Sequence, residues 1–459
     1  MNKTAANAPG DKIRLGEKLC YMLTNMGNGP IMSLIGTFLM IFYTDVAGID
    51  PAVVATLFLI SRLVDGLNDP IVGFIIDHLP RTKMGRFRPY LMIGSVLCAL
   101  NYLLLWFGPV LFPSAKIVMI YVSYLLIGIT FDLMDIPLNS LIPAMTDDIK
   151  QRNNLSALKS IANALMGMLL SLTAPLVINA NKDNPLRAYA LIIGVSTAIV
   201  LVFSIAGAAG VRERVVPISD EKYKFKDLFK IITVRPVLIS FITMLLVGIS
   251  SGISGGSNAY FAQYIIKDIT ILSLSALALI VGGIPGLLLS LPLTNKFGKK
   301  FVYCGGAIIA QAFALMRLFN VRSALFILVL TALGAVGAGM IMPLTYGIQA
   351  DNTDYVEYQT GNRAEGAIAS LNSFVVKAGG GIGGAIPGYI LSVTGYVANA
   401  EQQTAGAETG IIVCAILLPA LVTIAGILTF ALGYPLNRTK VEEVTQTLRR
   451  RREEKSLQA

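Results

Sequence analysis

Histidine occurs once, tryptophan once and cysteine four times in 459 residues, and only 14% of the side chains are charged. Each scarcity excludes a class of chemistry. With His78 alone there is no histidine pair for acid/base catalysis or metal binding. Cys20, Cys98, Cys304 and Cys414 are scattered singly through apolar stretches, which leaves neither zinc spacing nor a disulfide framework and reads as four small buried hydrophobes. So few charges cannot coat one or two soluble domains of this length. With 54% hydrophobic residues and a mean hydropathy of +0.68, the solvent around most of the surface must be lipid.

Apolar segments of about 20 residues, the length a helix needs to cross a bilayer, recur about twelve times. They are expected near 17–44, 51–78, 89–111, 116–141, 154–179, 187–209, 236–265, 271–295, 301–319, 323–348, 364–396 and 409–434. The predicted fold is an all-α membrane protein of two six-helix bundles. The longest polar interval inside the apolar region follows the sixth segment, so the expected organisation is an N-terminal bundle over 1–210, a cytoplasmic linker over 211–235, a C-terminal bundle over 236–436 and a cytoplasmic tail over 437–459. In the linker Phe225, Leu228, Phe229 and Ile232 follow helical spacing among lysines, which suits either an amphipathic helix on the inner leaflet or a solvated connection.

The net charge of +10 is a matter of orientation rather than of nucleic acid. Arg81, Lys83, Arg86 and Arg88 follow the second segment, Lys150 and Arg152 the fourth, Lys296, Lys299 and Lys300 the eighth, and Arg449 to Arg452 lie near the end. All fall on one side if both termini are cytoplasmic, as the positive-inside bias requires. The opening MNKTAANAPGDKIRLGEKL has no apolar core followed by a small-residue cleavage site, so no removable signal peptide is expected. The expected location is the inner (plasma) membrane, multi-pass.

Against this apolar background four carboxylates stand out, Asp65 and Asp69 in the second segment and Asp132 and Asp135 in the fourth, with Lys377 in the eleventh. A charge at bilayer depth costs several kcal/mol unless paired, hydrated or loaded with an ion, and so marks a transport pathway. Asp65 and Asp132 each fall about 22–24 Å along their helices, and Lys377 reaches a similar depth from the opposite direction. Asp65 and Asp69 are four apart and Asp132 and Asp135 three apart, so each pair shares a helical face. Asn68 adds a neutral oxygen, and Pro70 frees a carbonyl one turn back. Hard oxygens converging in a dehydrated place suit sodium, held directly by Asp65 and Asp69, or a proton on one carboxylate. The structural alternative is an ion-pair network beginning with Arg62, three residues before Asp65, but buried pairs rarely repay their desolvation.

The strings SRLVDGLNDPIVGFIID (61–77), FDLMDIPLNSLIPAMT (131–146), ADNTDYVEYQTGNRAEG (350–366) and SFVVKAGGGIGGAIPGYILSVTGY (373–396), with YTDVAG (43–48), spread over nearly the whole chain. They resemble the glycoside-pentoside-hexuronide:cation symporters of the major facilitator superfamily, and 350–366 looks like that family's loop between the tenth and eleventh helices. The basic stretches GFIIDHLPRTKMGRFRP and PLTNKFGKKF resemble the superfamily's short loop, repeated in each half. The resemblance implies the major facilitator fold and cation-coupled sugar uptake by alternating access. Asp65, Asn68 and Asp69 match the cation-site residues of the melibiose carriers, Asp132 stands where they have a threonine of that site, Asp135 matches a sugar-binding aspartate and Lys377 a lysine that interacts with the acids. Asp77 with Arg86 and Arg88 matches inner-gate charges.

Other positions depart from that pattern. Asn139 and Met342 replace sugar-stacking tryptophans, and Gly29 replaces a sugar-binding aspartate, which makes a galactoside doubtful. Asn28, Asn139, Thr345 and Tyr346 offer hydrogen bonds instead, and Lys159 either attracts an anionic group or snorkels to the headgroups. The eleventh-helix glycines and Pro387 resemble those of the glucuronide carriers, so a hexuronide stands level with a neutral glycoside or pentoside. Gly379 to Gly384 read as close helix packing, and Trp106, near the outer end of its segment, as an interface anchor. The expected protein is a monomeric symporter with no cofactor, whose partners are a small sugar, a sodium ion or proton, and the bilayer. A lysolipid transporter of the same superfamily and an intramembrane aspartyl hydrolase are the alternatives.

Overall fold

The computed structural model describes residues 13–61, 64, 82, 84–146, 148–214, 232–360 and 365–458, and nearly all of them are helical. The chain divides into two compact units, Met1–Glu221 and Lys222–Ala459, a division that falls inside the polar interval after the sixth helix. In the first unit α1 (Leu15–Leu34) continues through two π-helical turns, Ile35–Leu39 and Phe42–Val46. It is followed by α2 (Pro51–Ser61), α3 (Arg88–Leu111), α4 (Lys116–Met145), α5 (Ile149–Ala180) and α6 (Pro185–Gly210). The second unit holds α7 (Arg235–Tyr260), α8 (Ile271–Phe297), α9 (Lys299–Met316), α10 (Ala324–Thr360), α11 (Glu365–Val393), α12 (Ala405–Gly433) and a terminal α13 (Arg438–Gln458).

Proline in the first turn sets the start of α3, α6 and α7, where its missing N–H is no loss. Asn184 caps α6 by accepting from the Arg187 N–H at 3.1 Å. Ten of the described helices are long and apolar enough to cross a membrane. Helix α1 falls short because Glu17, Lys18, Thr24, Asn25 and Asn28 dilute it, and α2 is described only as far as Ser61.

Two expectations are corrected. The segment 350–366 is not a loop at its start, because α10 runs on to Thr360. Its polar residues are packing groups: the buried Asn352 donates to Ser240 Oγ on α7 at 2.8 Å and accepts from the Tyr434 hydroxyl at 2.9 Å, while Val356 is 1% exposed. Both faces of the Asn352 amide are satisfied, so a polar residue lies inside the bundle without an unpaired group. Trp106 is not an interface anchor. It is fully buried, edge-on to Phe42 with centroids 5.1 Å apart and stacked on Tyr189 at 5.7 Å, so a single aromatic cluster joins α1, α3 and α6.

The glycines of α11 do serve close packing. A Cβ at Gly383 would fall on the Ile249 carbonyl of α7, one at Gly379 would lie 2.6 Å from the Leu245 carbonyl, and Gly252 of α7 faces the Gly380 carbonyl in return. Helices α8 and α10 repeat the device, with Gly282 and Gly286 against the carbonyls of Ala332 and Val336 and Gly339 against that of Gly283. Without a hydrophobic drive between helices in lipid, this close backbone contact supplies the packing energy.

The two halves also share a construction at their basic ends. Gly85 (φ +119°) precedes α3 and Gly298 (φ +84°) precedes α9, each in a backbone region that favours glycine. Arg88, opening α3, donates from Nε to the Ala208 carbonyl at 2.7 Å and from Nη2 to that of Ala209 at 2.6 Å, closing the end of α6. Lys300, opening α9, donates to the Tyr434 carbonyl just beyond α12 at 2.7 Å. Cations at helix C-termini answer both the orphan carbonyls and the helix dipole.

Candidate functional site

In the N-terminal unit α1 is wedged between two neighbours by two small residues. A Cβ at Gly27 would meet Ser204 of α6 at 2.5 Å, and one at Gly29 would meet Met166 of α5 at 2.9 Å. The residue between them, Asn28, reaches α4. On the other side Gly94 of α3 lies against the Leu133 carbonyl of α4, 2.5 Å from where its Cβ would be, which holds the Asp132–Asp135 turn in place.

These contacts bring together four of the residues named from the sequence. Asn28 Nδ2 donates to Asp135 Oδ1 at 2.6 Å, Asn139 Nδ2 donates to Asp135 Oδ2 at 2.8 Å, and Lys159 Nζ donates to Asn139 Oδ1. One polar chain thus runs from α1 through α4 to α5. The neighbours orient the Asn139 amide, oxygen toward the ammonium and nitrogen toward the carboxylate, so it separates a cation from an anion. Asp135 and Lys159 are half-buried and Asn139 is exposed, so the chain is open on one side.

Acceptors are left over for a ligand. Asn28 Oδ1 is buried and meets no donor among the described residues, which is costly unless something else supplies one. A carboxylate has about four lone-pair positions, and only two described donors occupy those of Asp135. Hydroxyl groups of a polyol fit these vacant acceptors, and Lys159 fits an anionic substituent beside them. Asp132, one helical turn earlier and 5% exposed, is the more deeply buried of the two α4 acids.

Sequence reasoning missed the rest of the α1 stripe. Tyr21, Asn25 and Asn28 follow an i, i+4, i+7 pattern, with Asn25 Nδ2 donating to the Tyr21 carbonyl at 2.8 Å. That polar periodicity within an apolar segment was the available signal.

Asp65, Asn68, Asp69 and Asp77 fall outside the described residues, as does the side chain of Tyr346, whose backbone belongs to α10. Lys377 is exposed on α11 in the C-terminal unit. Arg88 is committed to the end of α6, and the Arg86 guanidinium lies over the Phe87 ring at 5.6 Å. Among the described residues the acid that organises this turn is Glu213, whose carboxylate accepts from the backbone N–H groups of Arg86, Phe87 and Arg88 at 2.7, 2.8 and 3.0 Å. Nearby, Glu17 and Arg214 form a buried pair at 2.7 Å.

Comparison with known proteins agrees with this architecture. Residues 20–438 match the family described as MFS/sugar transport protein. The glucuronide carrier protein homolog of Escherichia coli (strain K12) is 30% identical over 432 residues, covering 92% of this chain and 93% of that one. The isoprimeverose transporter of Lactiplantibacillus pentosus is 31% identical over 401 residues, covering 84% and 82%. Among solved structures, an inward-facing, unoccupied bacterial homolog of the human lysosomal transporter Spinster superposes with a TM-score of 0.62 at 14% identity, over 92% of this chain and 98% of that one. That last likeness concerns the fold alone. The family match and the relatives leave no place for the hydrolase alternative: the chain belongs to the MFS/sugar transport protein family and is a multi-pass membrane sugar transporter of the major facilitator superfamily, not an enzyme.

Proposed function

We propose that the chain is a cation-coupled symporter, importing a sugar derivative that carries a carboxylate or similar anionic group. The observation that carries this reading is the chain Asn28–Asp135–Asn139–Lys159, which presents hydroxyl acceptors at one end and an ammonium at the other. A neutral glycoside would use the acceptors and leave the ammonium idle. The glucuronide carrier homolog among its relatives supports the same substrate class.

The coupling ion, sodium or a proton, is assigned to Asp65, Asn68, Asp69 and Asp132, and Lys377 couples that site to the sugar. Loading the ion removes repulsion among the carboxylates and so favours sugar binding, and by linkage the sugar favours the ion. The basic face is cytoplasmic, both termini lie inside, and the protein works in the plasma membrane as a monomer.

The test is uptake by energised vesicles of a glucuronide, a xyloside and a galactoside, with sodium and pH varied independently and a lysolipid as competitor. Accumulation of the glucuronide against its gradient, abolished in Asp65→Cys, is expected. Equal uptake of all three sugars, or competition by the lysolipid alone, overturns the assignment.

A further inference from the structure

A cavity of about 710 Å³ in the C-terminal unit lies at the basic end of the bundle, and none of the residues that line it belongs to the proposed sugar site. The turn from α8 to α9, Asp351 of α10 and the chain leading from α12 into α13 enclose it. Its walls carry three cations, Lys299, Lys300 and Arg438, against two carboxylates, Asp351 and Glu442.

The charges are unevenly spent. Lys299 Nζ is taken by Asp351 at 2.7 and 2.8 Å and by the Gly347 carbonyl at 3.1 Å. Lys300 has three donors and, among the described residues, gives one, to the Tyr434 carbonyl. Arg438 gives Nε to Glu442 at 3.0 Å and Nη1 to the Asn295 carbonyl at 2.9 Å, and Nη2 meets no acceptor among the described residues. The buried Thr294 Oγ1, also in the wall, meets no partner among the described residues.

The other half of the molecule shows what such a place accepts. At the matching turn Gly85 precedes α3, and the N–H groups of Arg86, Phe87 and Arg88 converge on the Glu213 carboxylate, three residues beyond the end of α6. At Gly298 the N–H groups of Lys299, Lys300 and Phe301 open α9 with no acceptor among the described residues. The residue three beyond the end of α12 is Leu436, 4% exposed in the cavity wall. One unit fills its anion position from its own chain, while the other has an apolar residue and a cavity there.

A second property narrows the occupant. Phe297 and Phe301 line the cavity and are 47% and 63% exposed on helices that cross the membrane, so it continues onto the lipid-facing surface. We propose that this cavity binds an anionic phospholipid. Its phosphate lies at the start of α9 between Lys300 and Arg438, and its acyl chains run over Phe297 and Phe301. A phosphate at a helix N-terminus gains from the converging N–H groups and the dipole, and a guanidinium adds charge-assisted hydrogen bonds. The proposal needs only that the chain be embedded in a bilayer, so its outcome is independent of the sugar and ion assignments.

The experiment uses the purified full chain in neutral detergent. It is titrated separately with phosphatidylglycerol, diacylglycerol, sn-glycerol 3-phosphate and inorganic phosphate, with bound lipid read by native mass spectrometry and Tm by thermal unfolding. Phosphatidylglycerol is expected to be retained and to raise Tm, and the other three to do neither. Arg438→Gln, at an exposed side chain, is expected to lower retention about tenfold, the worth of one charge-assisted hydrogen bond. Leu436→Glu, which supplies the missing internal carboxylate, is expected to lose the lipid while keeping a Tm at or above that of the lipid-free parent. Undiminished retention in Arg438→Gln overturns the proposal whether or not Leu436→Glu folds. A full Tm rise with inorganic phosphate alone overturns its lipid part.

Discussion

In the N-terminal unit α1 meets α4, and α4 meets α5, through amides, a carboxylate and an ammonium, whereas in the C-terminal unit α7 meets α11 and α8 meets α10 through bare backbone. The difference separates two ways of holding helices together in lipid. A hydrogen-bonded contact can be exchanged for one to a ligand at little net cost, because both arrangements satisfy the same groups. A glycine contact has no substitute, because nothing else fits. The polar contacts of α1, α4 and α5 are therefore ones that a solute could replace, whereas the glycine contacts of α7 with α11 and of α8 with α10 are fixed.

The sharpest way to break that contrast is at Gly383. Replacing it with valine drives a side chain into the Ile249 carbonyl, and a cost above about 3 kcal/mol is expected, read as loss of folded protein after detergent extraction. Gly380 is the control on the same helix: a Cβ there meets nothing within 4 Å, so Gly380→Ala should leave Tm unchanged or slightly raised. If both variants unfold alike, backbone contact is not what holds α7 to α11.

Polar positions of the first unit should divide by role. Glu17→Gln breaks the buried pair with Arg214 and leaves a charge uncompensated, for an expected loss of about 3 kcal/mol in unfolding free energy by denaturant titration. Asp135→Asn, in contrast, should leave unfolding nearly unchanged while weakening sugar binding about 100-fold by isothermal titration, as expected for losing charge-assisted bonds to hydroxyls. A Tm drop without an affinity change would move Asp135 from the binding site to the scaffold. The smallest effect is expected of Lys159→Gln, about tenfold in affinity for an anionic sugar and none for its neutral analogue. Equal losses for both sugars would make Lys159 a positioning residue for Asn139.

Much of this was legible because lipid imposes strong rules. A spanning helix must be long and apolar, so α3 to α9 could be located to within a few residues from hydropathy alone. Asp135 stood out with Asp132 as two acids three apart in an apolar segment, and Asn28, Asn139 and Lys159 stood out as polar groups where the chain departs from the family pattern. The failures occurred where polar residues serve packing. Asn352 and its neighbours looked like a loop by resemblance, yet Ser240 and Tyr434, both far away in sequence, pair with Asn352 inside the bundle. Trp106 has the composition of an interface residue, and only its placement among Phe42, Tyr102 and Tyr189 shows otherwise. Glu213 was passed over because a carboxylate that caps a helix through space leaves no mark at the helix it caps.

Helix α10 has 37 residues, about 55 Å of rod against a hydrocarbon layer of about 30 Å, so one end must project. A rod of that length is a lever. A tilt of about 5° at one end moves the other by about 5 Å, more than most side chains can shift without breaking a hydrogen bond. The projecting end is gripped by Lys299 through Asp351 and by Ser240 and Tyr434 through Asn352, which passes any such swing to α9, α7 and the end of α12. A spectroscopic label near Thr360 would therefore magnify a rotation too small to see at the membrane centre, and makes this stretch a natural gauge of the transport cycle.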